Sequence, residues 1–363
     1  LSGRRLLDSL DLPTVLVALA LAGIGIFTIA SATIEQPGHE DTWRMQLIWC
    51  LVALVAAGVI VAVDYRYWAE TAYLLHGAVI LLLVLVAFFG REVGGNRSWL
   101  VVGPLRLQPS ELAKWTTCLV LAVYLARRVR TRIYFRQLIE MGLLAAAPVA
   151  LIALQPDMGT ALIFVPIFLA AMLIGGVPWK VIAALILLGL LLTPVAWFQL
   201  KDYQKERILT VLDPGRDPSG YGYQVRQSKI AIGSGGLTGK GLFRGTQSQL
   251  NFLPAQHTDF ALAVFVEELG FVGAAAVLAL FYYLFHRGVL AARSAQDRLG
   301  TYLCLLVVAW LAGQMAINVG MVLGRLPTIG VPLPFISYGG SALLAAASGV
   351  ALIVNVRSRR FVN

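Results

Sequence analysis

The sequence predicts an all-α integral membrane protein of about ten transmembrane helices, with one long extracytoplasmic loop between the seventh and the eighth. Three observations carry that prediction. Of the 363 residues, 58% are hydrophobic and only 13% charged, against roughly 25% charged in an ordinary soluble domain. Apolar stretches of the ~20 residues a bilayer requires recur along the chain. Basic residues alternate in density between the connections that join those stretches. Together these exclude a soluble enzyme, a disordered chain and a secreted disulfide scaffold. The whole chain, 1–363, reads as one polytopic membrane domain.

The elements follow in order. Arg4 and Arg5 precede the first stretch, 12–33, and no small-residue cleavage pattern follows it, so a retained first helix is expected. Stretches 44–63 and 71–89 come next, then 110–127, which carries Glu111 and Lys114. Stretches 137–154 and 158–175 are separated only by Gln155-Pro156-Asp157, and Pro148 and Pro166 interrupt them. Stretch 179–200 includes Val181–Leu192 without a charge, and 260–286, 299–323 and 337–356 complete the set. Cys50, Cys118 and Cys304 each sit inside an apolar run, so no disulfide framework or metal spacing is expected. No solenoid period or duplicated half is visible.

Ten spans place both termini on one side. With the N-terminus inside, the inner segments hold Arg4, Arg5, Arg66, Arg127, Arg128, Arg130, Arg132, Arg136, Lys180, Arg287, Arg293, Arg298, Arg357, Arg359 and Arg360. The short outer loops hold Arg44, Arg91, Arg97, Arg106 and Arg325. This threefold bias puts both ends in the cytoplasm.

The long connection, about 201–259, then falls outside. A loop beyond about 15 residues is usually functional or disordered, and this one has Ile208, Leu212, Phe243, Leu250 and Phe252 to pack. It carries Lys201, Lys205, Arg207, Arg216, Arg226, Lys229, Lys240 and Arg244 against Asp202, Glu206, Asp213 and Asp217, a net +4 before Asp259 closes it. Two readings stand. The cations are incidental, because long loops translocate regardless of charge, or they form an anion site at the outer surface. The run from Gly233 to Gly241 fails the phosphate-loop pattern, since Ser234 takes the first glycine position and Gly241 replaces the hydroxyl residue after Lys240. Its backbone amides, with Lys240 and Arg244, read equally as an anion-binding nest or a flexible turn.

Ionisable residues at membrane depth are costly and default to function. Glu111 and Lys114 share a helix face and read as an ion pair. Asp157 either favours a helix N-terminus or serves chemistry. Glu140 reads as a partner for the nearby arginines, and Glu267 and Glu268 as structural. His257 reads as an interfacial hydrogen-bonder or a proton relay. Asp259 ends the cationic loop where the eighth span begins. The topology puts it on the outer side with Glu111, Lys114 and Asp157, which suggests one cleft.

Several motifs carry a resemblance. Leu326-Pro327-Thr328-Ile329-Gly330-Val331-Pro332-Leu333-Pro334-Phe335-Ile336-Ser337-Tyr338-Gly339-Gly340-Ser341, preceded by Asn318, closely resembles the signature of the SEDS family of shape, elongation, division and sporulation proteins. The likeness extends over essentially the whole chain. It includes Gly94-Gly95-Asn96-Arg97-Ser98-Trp99, Gln108-Pro109-Ser110-Glu111 with Lys114, Gln155-Pro156-Asp157-Met158-Gly159-Thr160, the Gln224–Gly241 loop and His257-Thr258-Asp259-Phe260. The ending looks nearer to the RodA-like branch than to the division branch. Arg325 departs from the apolar residue usual in the family.

The resemblance implies a ten-span peptidoglycan glycosyltransferase in the bacterial cytoplasmic membrane, working with a class B penicillin-binding protein, a transpeptidase. Its substrate would be lipid II, a disaccharide-pentapeptide on undecaprenyl pyrophosphate. The family's essential aspartate maps onto Asp259, its Glu–Lys pair onto Glu111 and Lys114, and its Gln-Pro-Asp aspartate onto Asp157. Attack of an acceptor 4-hydroxyl on the anomeric carbon needs a base, for which Asp259 is the candidate. The departing pyrophosphate needs fixed positive charge, for which Arg207, Arg216, Arg226, Lys229, Lys240 and Arg244 are candidates. No ligand spacing demands a metal, though a divalent cation (Mg or Mn) could bridge aspartate and pyrophosphate. Membrane lipid is an expected partner and nucleic acid is not. The alternatives are a lipid II flippase, a non-catalytic scaffold for the penicillin-binding protein, and another polyprenyl-linked glycan transferase. The clustering of polar groups toward the outer side favours an enzyme over a transport path.

Overall fold

The computed structural model describes residues 10–93, 96–102, 105–128, 133–213, 215–217 and 220–360. Arg4, Arg5, Arg130 and Arg132 of the charge count, and Gly94-Gly95 of the motifs, lie outside the described residues. The chain runs α1 (Leu12–Thr33), α2 (Thr42–Ala62), α3 (Tyr65–Glu70), α4 (Ala72–Phe89), β1 (Arg91–Val93), β2 (Asn96–Val102), β3 (Leu105–Leu107), α5 (Pro109–Arg128) and α6 (Phe135–Leu154). It continues through α7 (Met158–Leu162), α8 (Phe164–Ile174), α9 (Trp179–Gln199), α10 (Asp202–Leu212), α11 (Tyr221–Gly235), α12 (Thr246–Gln249), α13 (Ala261–Arg293), α14 (Arg298–Val322) and α15 (Gly340–Ser358).

Seven of these helices, α1, α2, α4, α6, α13, α14 and α15, are long and apolar enough to cross a membrane. The other three expected stretches correspond to α5, to the pair α7–α8 and to α9. The pair is broken at Ile163. α5 is the central helix: it is buried from Pro109 through Leu125 except Leu112, with α4, α6, α8, α14 and α15 around it. Its surroundings are protein, which is why it tolerates a Glu and a Lys. α9, by contrast, is exposed along nearly its whole length.

Small residues let backbones approach, as membrane helix packing requires. A Cβ on Gly340 would fall 2.0 Å from the Trp49 ring, and one on Gly349 3.0 Å from Trp310, so α15 lies tightly against α2 and α14. Segment 91–107, expected only as a short loop, forms a three-stranded antiparallel sheet in the order β1-β2-β3. Pairing of these strands lets a short outer connection satisfy backbone groups of its own.

The end of the molecule that holds the first and last helices is tied by charge. Asp11 pairs with Arg287, about two turns before the end of α13, and, at 3.2 Å, with Arg357 in the last turn of α15. Residues 11 and 357 therefore share one face. Asp259, at the start of α13, lies at the opposite one.

The long connection is not a loop standing off the surface. α13 breaks at Gly270 (φ 65°, ψ −163°), and residues 236–241 dock onto the break. Phe271 and Val272 amides donate to the Gly236 and Leu237 carbonyls, and Lys240 and Gly241 amides donate to Glu267 and Glu268 carbonyls, all at 2.9–3.1 Å. The segment also closes the end of α1, whose last carbonyls have no helical partner. Gln249 donates to the Ser31 carbonyl (3.1 Å) and Gln256 to that of Ala32 (2.7 Å).

Candidate active site

Asp157 caps the N-terminus of α7. Its carboxylate accepts from the Thr160 amide (3.1 Å), the Thr160 hydroxyl (2.9 Å) and Gln108 Nε2 (2.9 Å). Three donors thereby engage both carboxylate oxygens, and Asp157 is buried. Burial pushes its carboxyl up, Glu111 adds to the rise, and Thr160 and Lys114 oppose it.

One turn into α5, Lys114 Nζ meets Glu111 at 2.7 Å, with side chains 1% and 3% exposed. The ammonium also donates to Gln314 Oε1 (3.0 Å) and lies 5.6 Å from the Trp310 ring centroid. Gln314 in turn donates to the Pro332 carbonyl (2.9 Å). One helical turn later on α14, Asn318 Nδ2 donates to the Val331 carbonyl (2.7 Å) and to the main-chain carbonyl of Asp259 (3.0 Å). Two amides on one face of α14 thus tie the Glu111–Lys114 pair, the final outer loop and the Asp259 turn together. Gln314 did not stand out in the sequence, and Asn318 did so only as part of the family signature. The available signal was two side chains with hydrogen-bonding capacity at i and i+4 inside an apolar run.

Asp259 is only partly buried. Among the described residues, no hydrogen bond or ion pair engages its carboxylate. Oδ2 faces Gly330, where a Cβ would sit 3.4 Å away. Its carboxyl is pushed up to about 6, first by burial and further by Asp157, while Arg207 pulls it down. His257 is held low, at about 4, by burial and by His39, so it is neutral near pH 7.

The six loop cations separate. Arg207 acts electrostatically on Asp259. It donates to Tyr221 Oη (2.9 Å), stacks on Tyr221 at 4.5 Å, and lines a cavity of about 80 Å³ with Pro156, Met158 and Ile329. Arg216 pairs with Glu206 at 3.3 Å. Lys229 lies over Gly324, just beyond α14, where a cation suits the helix C-terminus. Lys240 corrects the nest reading. It pairs with Glu267 at 2.6 Å and donates to Thr246 at 2.7 Å. The Gln247 amide also donates to Glu267, and the Phe243 and Gly245 amides to Glu268. The chain's own carboxylates fill the anion-binding geometry. Arg226 and Arg244 are exposed, and no ion pair engages them among the described residues.

Residues 11–361 match the family described as cell cycle proteins, that of FtsW, RodA and SpoVE. The peptidoglycan glycosyltransferase MrdB of Escherichia coli K12 is 40% identical over 352 residues, covering 97% of this chain and 94% of the relative. A probable peptidoglycan glycosyltransferase FtsW of Geobacter metallireducens is 35% identical over 363 residues, covering 97% and 96%. Among solved structures, a chain of a peptidoglycan synthase complex, described as coordinating polymerisation and crosslinking, superposes with a TM-score of 0.83 at 35% identity, covering 98% of this chain and 99% of that one. The rod shape determining protein RodA of Thermus thermophilus superposes with a TM-score of 0.72 at 29% identity, covering 98% of each chain.

Proposed function

The chain belongs to the FtsW/RodA/SpoVE family of membrane-embedded cell cycle proteins, and from that premise we propose that it polymerises lipid II into glycan strands, with Asp259 as the general base. Its relatives are named peptidoglycan glycosyltransferases. The observation that carries the assignment of the base is a contrast within the site. Glu111 is spent on Lys114, and Asp157 on Gln108 and Thr160, whereas the Asp259 carboxylate has no such partner among the described residues.

In the reaction the acceptor's 4-hydroxyl oxygen forms a bond to the anomeric carbon of the donor while the bond from that carbon to pyrophosphate breaks. The hydroxyl proton passes to Asp259, and the pyrophosphate leaves with the electron pair. Direct displacement inverts the anomeric centre. A carboxylate raised toward neutrality is a better proton acceptor than an ordinary one. Arg207 supplies fixed charge near the leaving group, and Arg226 and Arg244 are the other cations free to join it. Asp157 and the Glu111–Lys114 pair hold the surrounding turns in place. Magnesium bound through one carboxylate plus substrate phosphates is a common arrangement, and Asp259 with the pyrophosphate fits it. Such an ion would neutralise the leaving group.

The active centre faces the outside of the cytoplasmic membrane and the termini face the cytoplasm, by the charge bias. A class B penicillin-binding protein is the proposed partner. Support comes from the superposition on a chain of a complex that couples polymerisation to crosslinking. The test is purified protein with lipid II in detergent. Glycan polymer is expected with the unaltered protein and not with Asp259→Asn; normal polymer from that variant would remove the assignment.

A further inference from the structure

Far from the candidate active site, the other end of α5 borders a cavity of about 490 Å³ between α4, α5 and α6. Seventeen residues of helix separate Glu111 from Arg128, or about 25 Å. We propose that this cavity binds an acidic glycerophospholipid, with its phosphate on Arg127 and Arg128 and its acyl carbons along α6. The proposal does not depend on the catalytic reading.

The cavity is amphiphilic along its length. Tyr73, Tyr124, Arg127 and Arg128 form its polar end, and Ile80 and Leu143 belong to its apolar part. Leu143 is 64% exposed, so one side opens toward the lipid phase. Both arginines occupy the last turn of α5, where a bland reading has them only complementing the helix dipole. Three observations go further. Among the described residues, no ion pair engages either guanidinium. The acid that lines the cavity, Glu140, is already taken by Arg136 at 2.9 Å and the Tyr124 hydroxyl at 2.8 Å. The histidine at its edge is also spent: His76 bridges Thr116 and the Leu144 carbonyl, both at 3.2 Å.

The site therefore offers net positive charge and forked donors over a hydrocarbon wall. Forked guanidinium donors match phosphate oxygens. A soluble phosphate would leave the apolar wall unused, and a zwitterionic lipid would bring its own cation against the two arginines.

The experiment is native mass spectrometry of the full chain from detergent supplied with phosphatidylglycerol and phosphatidylcholine in equal amounts. Phosphatidylglycerol adducts should dominate on the unaltered protein. In Arg127→Gln/Arg128→Gln they should fall about tenfold, as when a charge-assisted hydrogen bond is removed. Leu143→Trp, which narrows the groove without touching charge, should lower them too, while Lys180→Gln, at an exposed site in the first turn of α9, should not. Equal adducts on all four proteins would overturn the proposal. So would equal retention of phosphatidylcholine, or displacement of the lipid by millimolar inorganic phosphate.

Discussion

Asp259 differs from the other acids near it by what it lacks, and its protonation should report that. The carboxyl sits at about 6, and a base works only when ionised, so polymerisation should rise as pH passes through about 6 and level off above it. Arg207 opposes the upward shift. Arg207→Ala should therefore move the acid limb to higher pH and also lower the plateau, because the departing pyrophosphate loses a cation. A purely structural role for Arg207 would lower the plateau and leave the limb in place. Stability runs the other way. An acid whose folded value lies above its unfolded one, about 3.9 for Asp, loses folding free energy as pH rises between the two. Asp259→Asn removes that cost, so its Tm at pH 7 should not fall even though turnover drops by about 10²–10⁴-fold, the usual yield of a positioned base. A variant that loses activity and melts early would point to a structural aspartate instead.

The break in α13 is a device of two elements. Gly270 has a backbone conformation that favours glycine, and Cβ atoms at Gly270 and Gly239 would fall 2.4 Å and 2.0 Å from the opposing backbone. The docked segment brings Lys240 to Glu267, whose side chain is fully buried. Removing one partner of a buried pair costs about 3–5 kcal/mol, so Lys240→Met should lower the denaturation midpoint sharply. Lys240→Met/Glu267→Gln should recover much of that loss in a double-mutant cycle. Additive losses would mean that the pair carries no coupling. The sequence made the apolar stretches legible because lipid demands long uncharged runs. It did not reveal that the glycine run pairs with residues 267–272, because that contact joins segments separated by about 30 residues of chain. Composition counts the charge of Lys240 but not its partner. For the same reason the net positive charge of the connection overstated how many of its cations are free, while the placement of Asp259 at the junction with α13 was legible from the end of an apolar run alone.

At the scale of the whole molecule, orientation decides whether the chemistry can reach a substrate outside the cell. The Asp11–Arg357 pair places residues 11 and 357 on one face, and the Asp11–Arg287 pair, through the length of α13, leaves the Asp259 turn on the other. Which face is cytoplasmic then rests on the arginine distribution. That distribution survives in the described residues, where Arg66, Arg127, Arg128, Arg136, Arg287, Arg293, Arg357 and Arg359 lie on the face of the termini. The inference can be checked without measuring catalysis. In a background with Cys50, Cys118 and Cys304 replaced by alanine, Leu250→Cys puts a thiol on the exposed part of the docked segment, and Lys180→Cys puts one in the first turn of α9 on the opposite face. A membrane-impermeant maleimide added to intact spheroplasts should label the first and not the second, and lysis should expose the second. The reversed pattern would turn Asp259 toward the cytoplasm. Because the two labels sit at opposite ends of the same bundle, equal labelling before lysis would instead mean that the spheroplasts leaked, and that preparation would be rejected by its own internal control.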